Sequence, residues 1–445
     1  MNTKYIFRIW GLFLLFLAAL FLPFFLPILR GVEGASFPQP FTLFGILSYA
    51  FMAFDVILGA RFAFFERGHG LSEVYFHHGL LGLGAVICAV VHVIYSFLRD
   101  NYVFELNVVR LLGYIALVLL IAVIFSGMLI LSCDFIRRSA FFMKLKERVF
   151  NREVGLFIHR AAFISTLFMF WHIILTRTAS NEFFRAMLIA TFALSMLLYA
   201  ASKIKRIAAP KYVLQDIEEL PGGCYNLLFK PLGARKISYK AGQYVFVRFI
   251  DSELPRESHP FSFTSYPTEG EQGFSIMVKE SGDYTDRASK LKPGDVAKIE
   301  GPYGIFPYAQ AKHAGNPLIL IGGGVGITPM ISLLNEMLTK DEDREIVLLW
   351  GINTKDEIFY EDYYESLMKS HDRFRYHITI ADEKVDGYGF GFVNQPFLEE
   401  SGVDMANSEA DFYICGPLAM MDSIEKILRA NGVAKARIHT EKFSF

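Results

Sequence analysis

A chain of 445 residues that is 53% hydrophobic is more apolar than a soluble protein of that length requires, and a formal net charge of -1 excludes the basic surface of a nucleic-acid binder. The four cysteines (Cys88, Cys133, Cys224 and Cys415) form no CxxC pair, so nothing supports a zinc, iron–sulfur or disulfide framework. The first 200 residues are far more apolar than the remainder, which divides the chain into two unlike halves.

Six apolar segments reach membrane-spanning length, at about 5–29, 41–60, 74–98, 107–132, 153–176 and 183–202. The first is too long, and too deeply set in a multi-span pattern, for a cleaved signal peptide. Pro23 and Pro27 are expected to kink or end it near its outer face. Lys and Arg fall unevenly between the loops. One side carries Lys4, Arg8, Arg61, Arg67, the run Arg137, Arg138, Lys144, Lys146, Arg148 and Arg152, and then Lys203, Lys205 and Arg206. The other has Arg30, Arg99, Arg110, Arg177 and Arg185. The expectation is a multi-pass protein of the cell (plasma) membrane, in contact with lipid, with both termini cytoplasmic.

Six of the eleven histidines lie before residue 173, in the half where an ionisable side chain is most costly. His78 and His92 share the third segment, His159 and His172 the fifth. Their separations of 14 and 13 residues correspond to a rise of roughly 20 Å along a helix, which suits two stacked cofactors in a hydrocarbon core about 30 Å thick. Both segments run from inside to outside, so His78 should face His159 at the inner level and His92 should face His172 at the outer. The reading is two b-type haems, each held by one histidine from either side. At about 100° per residue, 14 steps return to within roughly 40° of the same face, whereas 13 steps miss it by roughly 140°. The fifth segment therefore needs a kink, a π-bulge or a supercoil between His159 and His172. His77 is an alternative inner ligand, although its spacing to His92 also falls off the face. Plain helix-to-helix hydrogen bonding is the other use of such histidines. Asp55 and Arg160 are weaker signals; Arg160 either pairs with a haem propionate or snorkels to the cytoplasm.

A linker near 203–211 leads into polar, strand-like sequence. Short alternating runs such as Gln243-Tyr-Val-Phe-Val-Arg-Phe249 over 211–310 predict a small antiparallel barrel. After Pro317 the pattern becomes a strand at 318–321, a helix near 328–339, a strand at 345–350 and another buried run at Phe412-Tyr-Ile414, which is the alternation of a parallel α/β sheet. Between the first strand and helix stands Gly322-Gly-Gly324-Val-Gly326-Ile-Thr328-Pro329. Residues without side chains let backbone N–H groups approach a pyrophosphate at a helix N-terminus. Cys415-Gly416-Pro417 also ends a strand and opens a helix, so the two turns should meet at one sheet edge. In the barrel, His259-Pro260-Phe261-Ser262-Phe-Thr264-Ser265 has the alternation to line a flat ring. Lys279, Gly282 and Thr285 supply a cation, a bare backbone and a hydroxyl suited to a diphosphate. Read alone, either string serves equally as structure.

Together with Gly242-Gln-Tyr-Val-Phe-Val247, Gly301-Pro-Tyr-Gly304 and Glu441-Lys-Phe443, these strings make the soluble half similar to the ferredoxin–NADP reductase superfamily. With the paired histidines, the chain resembles the NADPH oxidase and ferric reductase family over nearly all its length. The resemblance implies a six-helix transmembrane di-haem domain at 1–205, an FAD-binding β-barrel at 210–313 and an NAD(P)H-binding α/β domain at 314–445. It assigns the 259–264 and 279–285 strings to FAD. The glycine turn with Cys415, Gly416 and Pro417 is assigned to NADPH, with NADH left open. Phe443 would stack on the flavin and, with Cys415, border the reacting ring; Phe445 is the alternative stacker.

The same resemblance implies transmembrane electron transfer from NAD(P)H through FAD and two haems to an outer acceptor. Dioxygen giving superoxide stands first, a ferric chelate second, and delivery to an extracytoplasmic partner protein third. Ser96 stands where eukaryotic oxidases carry a further histidine, and the outer half of the second segment has no arginine. Asn353 and Phe392 occupy positions where NADPH-specific relatives often carry arginine, and Lys355, Arg373 or Arg375 is left to meet a 2′-phosphate. No EF-hand-like loop is present, and constitutive activity without an obligatory protein partner is expected.

Overall fold

Runs of Leu, Phe, Ile and Ala bury their own backbone polar groups most simply as helices, and the first half of the chain is built from them. The structure, a computed structural model, describes residues 3–32, 36–66, 70–99, 107–131, 139, 152–268, 273–282, 284–304, 306, 316–340, 344–405 and 409–442. Its helices here are α1 Thr3–Leu29, α2 Pro40–Leu58, the short α3 Ala63–Glu66, α4 Gly70–Arg99, α5 Val108–Leu131, α6 Arg152–His159, α7 Ala162–Ile174 and α8 Glu182–Ile207. Six stretches are long and apolar enough to cross a membrane, Arg8–Leu29, Pro40–Leu58, Gly70–Arg99, Val108–Leu129, Val154–Ile174 and Glu182–Ile207. Pro23 and Pro27 lie inside α1, which continues past both, so neither ends it. The basic residues Arg137, Arg138, Lys144, Lys146 and Arg148 lie outside the described residues.

The fifth span is interrupted. α6 stops at His159 and α7 starts at Ala162, with Arg160 and Ala161 in a turn between them. That break falls where the 13-residue histidine spacing demands one. Around it, α2, α4, α5 and α7 share a core that includes Tyr49, Ala53, Leu81, Ala85, Ala116 and Leu120. Hydroxyls tie the helices in pairs. Ser48 Oγ donates to Ala85 O at 2.8 Å, linking α2 to α4, and Ser165 Oγ donates to Ala116 O at 2.9 Å, linking α7 to α5.

The chain divides at Lys205 into two compact units. In the second, β1 Lys211–Leu220, β2 Cys224–Pro231, β3 Tyr244–Asp251, β4 His259–Ser262, β5 Phe274–Lys279 and β6 Val296–Tyr303 form an antiparallel sheet of order β4-β3-β6-β1-β2-β5. Its two edge strands are joined by one bridge, Phe263 to Ile276. Val245, Val247, Leu214, Leu227, Phe229 and Ile276 fill its core, the inward half of the alternation seen in the sequence.

The remaining strands, β7 Leu318–Gly323, β8 Ile346–Ile352, β9 Phe374–Ile380, β10 Gly389–Phe390, β11 Asp411–Cys415 and β12 Ile438–Glu441, are all parallel, in the order β10-β9-β8-β7-β11-β12. Continuous apolar strands such as Leu318-Ile-Leu-Ile321 need cover on both faces. Helix α9 Thr328–Lys340 supplies it on one face through Met330, Leu333 and Leu334, with α10 Glu361–Ser370 adding Tyr364. On the other face, α11 Gln395–Glu400 contributes Phe397, and α12 Leu418–Ala430 contributes Met421 and Ile424.

Candidate functional site

In the helical unit four histidines repeat one arrangement. Each ring lies on a glycine of the neighbouring helix. A Cβ on Gly45 would stand 3.1 Å from His92 Nδ1, and one on Gly113 would stand 2.9 Å from His172 Nδ1. On Gly59 and Gly127 it would stand 3.4 Å from Cε1 of His78 and His159. Each Nδ1 reaches the residue four before that glycine. His92 Nδ1 is 2.6 Å from Phe41 O, His172 Nδ1 2.7 Å from Val109 O, and His159 Nδ1 3.3 Å from Val123 O. The fourth departs from this, because His78 Nδ1 faces a side chain, Asp55 Oδ1, at 2.7 Å. The local reason is steric. A helix carbonyl four residues back has a spare lone pair, and at Gly45 and Gly113 a Cβ above it would crowd the imidazole that reaches it.

A carbonyl accepts and never donates, so those three Nδ1 atoms carry the proton and Nε2 keeps its lone pair. In the inner pair the Nε2 atoms face each other. His78 Nε2 and His159 Nε2 are 3.5 Å apart, with ring centroids 5.7 Å apart. His92 and His172 stand at 6.0 Å between centroids. Two metal–imidazole bonds of about 2.0–2.1 Å together span about 4 Å, close to the inner separation. Among the described residues no group of three or more His, Cys, Asp or Glu side chains could hold a metal ion. The donor set fits a centre with two imidazoles whose other ligands are not side chains. His77 turns away instead, edge-on to Trp10 at 5.9 Å. Arg160 is exposed.

In the second unit the two turns pack backbone against backbone. A Cβ on Gly326 would stand 2.3 Å from Cys415 O, and one on Gly416 would stand 3.0 Å from Gly323 Cα. Strand register forces this, since Cys415 pairs with Gly322. A cleft of about 870 Å³ opens beside them. Pro260, Phe261, Ser262, Lys279 and Thr285 line it from the antiparallel sheet, and Gly324, Gly326, Thr328, Cys415, Gly416 and Pro417 from the parallel one. Ten of the eleven offer a small, apolar or hydroxyl surface; the cation Lys279 is paired with Glu357 Oε2 at 2.6 Å.

Other expected residues stand behind this surface. Gly322 lies next to the end of β7, where a Cβ would meet Ile327 Cα at 2.7 Å, and Pro329 is buried in the first turn of α9. Thr264 Oγ1 donates to Asn226 Oδ1 at 3.0 Å. His259 stacks on Tyr284 at 3.8 Å between centroids and bonds Glu257 at 3.0 Å. Gly282 holds φ +109°, a conformation that favours glycine, and its N–H donates to Asp286 Oδ1 at 2.9 Å. The Tyr284 hydroxyl is buried without a hydrogen-bond partner among the described residues, an atom left for a ligand to satisfy. Burial pushes the Cys415 thiol well above its ordinary range, with Glu441 adding to it, so it is a neutral wall and not a nucleophile. Phe443 and Phe445 lie outside the described residues. The sequence reading missed the four glycines under the histidines, although Gly45/Gly59 and Gly113/Gly127 repeat the 14-residue spacing. It also missed Glu357.

Comparison with known proteins agrees with the geometry of the second unit. Residues 229–306 match an FAD-binding domain family and residues 320–426 an oxidoreductase NAD-binding domain family. The toluate 1,2-dioxygenase electron transfer component of Pseudomonas putida is 25% identical over 248 residues, covering 55% of this chain and 71% of that protein. A subunit of the Na(+)-translocating NADH-quinone reductase of Psychrobacter cryohalolentis is 30% identical over 219 residues, covering 45% of this chain and 52% of its own. The chain thus spans about half the length of that relative. A flavohaemoglobin structure from Malassezia yamatoensis aligns over 91% of this chain and 96% of its own at a TM-score of 0.50 and 16% identity, a likeness of fold alone. The chain is therefore an oxidoreductase with a reductase module of one FAD-binding and one NAD-binding domain, moving electrons from NAD(P)H by way of FAD.

Proposed function

We propose that this chain carries electrons from NAD(P)H through FAD and two b-type haems across a membrane to an acceptor on the far face, first of all dioxygen, giving superoxide. The observation that carries the reading is the fourfold histidine arrangement, with the inner pair's Nε2 atoms facing each other and both pairs set ring against ring. The outward faces of the same helices are apolar: Ile94 on α4 is 52%, Val118 on α5 66% and Trp171 on α7 49% exposed, as lipid contact requires. The uneven distribution of Lys and Arg between the loops puts both termini on the cytoplasmic side of the cell membrane.

When bound, FAD accepts a hydride and releases electrons singly, and the haems relay them. The protein supplies position. His78 with His159 forms the inner station and His92 with His172 the outer, with the carbonyls of Phe41, Val109 and Val123 fixing three of the rings. Pro260, Phe261 and Ser262, with Lys279, Gly282 and Thr285, hold the flavin and its diphosphate. Gly324, Gly326 and Thr328 open the helix N-terminus to the dinucleotide, and Gly416 and Pro417 close the far wall. Phe443 is the residue proposed to cover the flavin until nicotinamide displaces it.

For the dinucleotide itself one observation favours NADH. Lys279 is the only cation lining the cleft among the described residues, and Glu357 already neutralises it. A 2′-phosphate would find no unpaired charge there. The ratio of kcat/KM for NADH to that for NADPH should exceed about ten, one decade of discrimination, and a ratio below one refutes this choice.

The deciding experiment follows cytochrome c reduction by purified, FAD-supplemented protein in air. Superoxide dismutase should abolish most of it. Persistence with competition by a ferric chelate identifies a metalloreductase, and a slow rate in both cases identifies an electron-delivery module that needs a partner protein.

A further inference from the structure

We propose that Asp55 is a positioning residue that makes the inner histidine pair a weaker electron acceptor than the outer pair. The inference rests on the haem reading of the proposed function. Three of the four histidines place Nδ1 against a neutral backbone carbonyl, at 2.6, 2.7 and 3.3 Å. At the fourth, the equivalent carbonyl is Asp55 O, which accepts from Gly59 N at 2.9 Å, and the group facing His78 Nδ1 is the Asp55 carboxylate at 2.7 Å. His78 keeps a backbone bond to Asp55 as the other three rings keep theirs. Added to it is a carboxylate, 6% exposed, in the last turn of the apolar helix α2.

Such a residue is costly inside a membrane segment and has to be held by its surroundings. The packing does this. A Cβ on Gly82, one turn along α4 from His78, would stand 2.6 Å from Ile124 Cδ1 and in ordinary contact with Asp55 Oδ2 at 3.5 Å, so the second oxygen lies against a bare, closely packed stretch of α4. A carboxylate draws on a ring N–H more strongly than a carbonyl does, and that makes the opposite nitrogen a stronger donor to a metal. Stronger donation favours the oxidised metal and lowers its potential. Each electron given up at the inner pair is one electron gained at the outer pair, with no proton exchanged. With Asp55 in place that step runs downhill, away from the cytoplasmic side.

The test is Asp55→Asn, which keeps the shape and leaves a neutral acceptor like the other three. Purified protein is titrated potentiometrically and read by its haem absorbance. One of the two transitions should move upward in potential by about 59 mV, so that its oxidised-to-reduced ratio at a fixed ambient potential falls about tenfold for one electron. The other should not move. Asp55→Glu, which restores the charge, should return the first transition toward wild type. Two unmoved transitions, or two that move together, overturn the proposal. If Asp55→Asn loses the inner haem, single-haem proteins decide. The protein lacking His92 and His172 must titrate below the one lacking His78 and His159, and the reverse order overturns the proposal. A wild-type protein with no haem spectrum sinks the haem reading and this inference with it, whereas two haems insensitive to Asp55 sink this inference alone.

Discussion

The two units of this chain build their candidate sites by opposite means. In the sheet unit, the cleft is made by chain turns, in which a strand ends, glycines bare the backbone, and a helix begins within a few residues. In the helical unit turns play a smaller part, at Gly59 beyond α2 and at Arg160 and Ala161 between α6 and α7. Its centres exist only where a histidine on one helix meets a glycine on another, with partners 47 residues apart in His92 and Gly45 and 59 apart in His172 and Gly113. A local site survives small shifts between elements. A site made between helices depends on every ångström of their approach.

The sharpest break of that contrast uses one added side chain in each unit. Gly113→Val puts atoms where His172 Nδ1 stands, 2.9 Å from the new Cβ. One of two haems should be lost by haem quantitation, while flavin reduction by the dinucleotide keeps its wild-type rate. Gly326→Val meets the backbone of Cys415 at 2.3 Å, which no rotamer relieves. Both haems should stay while flavin reduction falls by about a hundredfold or more, the scale of an ångström-level misplacement. Loss of both functions in either variant would refute the independence of the two sites. Alanine at His92 or His172 should mimic the first variant.

Next in size comes a buried charge cluster remote from the cleft. Asp411 lies 3.2 Å from Arg437 Nη1, 3.3 Å from His439 Nε2 and 3.9 Å from the fully buried Arg344. Burial pushes its carboxyl up, but His439 and Arg437 outweigh it and hold it below its usual range. A depressed carboxyl contributes stability above its unfolded value, about 3.9, and loses it as pH falls through the folded one. Asp411→Ala removes the carboxylate that all three basic side chains face and should cost about 3–5 kcal/mol. Chemical denaturation at neutral pH measures the loss, and repeating it below about pH 4, the ordinary carboxyl range, should find the gap between variant and wild type narrowed.

How much of this was legible in the sequence follows the same division. The glycine turn, the 259–265 string and Cys415-Gly416-Pro417 were readable because their chemistry lies within a few consecutive residues. The break after His159 was readable too, because a 13-residue spacing cannot keep two rings on one helical face. The glycines beneath the rings were not, since a glycine in an apolar helix looks like any small packing residue until the opposing histidine is known. Asp55 was visible as a charge but its role was not, because only the three carbonyl partners make a fourth that is a carboxylate stand out. Glu357 was hidden for a similar reason. It comes from a short turn after β8 and meets a lysine 78 residues earlier.

That last pair gives the smallest and most discriminating expectation. Lys279 and Glu357 are 24% and 14% exposed, so water screens their attraction and the pair contributes no more than about 1 kcal/mol to stability. Glu357→Gln should therefore leave the unfolding transition nearly unchanged. Its effect belongs to the cleft, where the substitution leaves Lys279 as an unpaired cation beside the flavin diphosphate. FAD affinity should therefore tighten severalfold while the ratio of kcat/KM for NADH to that for NADPH stays put. The gain should stay below tenfold, because a partly solvated lysine contributes less than about 1.4 kcal/mol. A ratio that moves toward NADPH with FAD affinity unchanged would place Lys279 beside the dinucleotide instead.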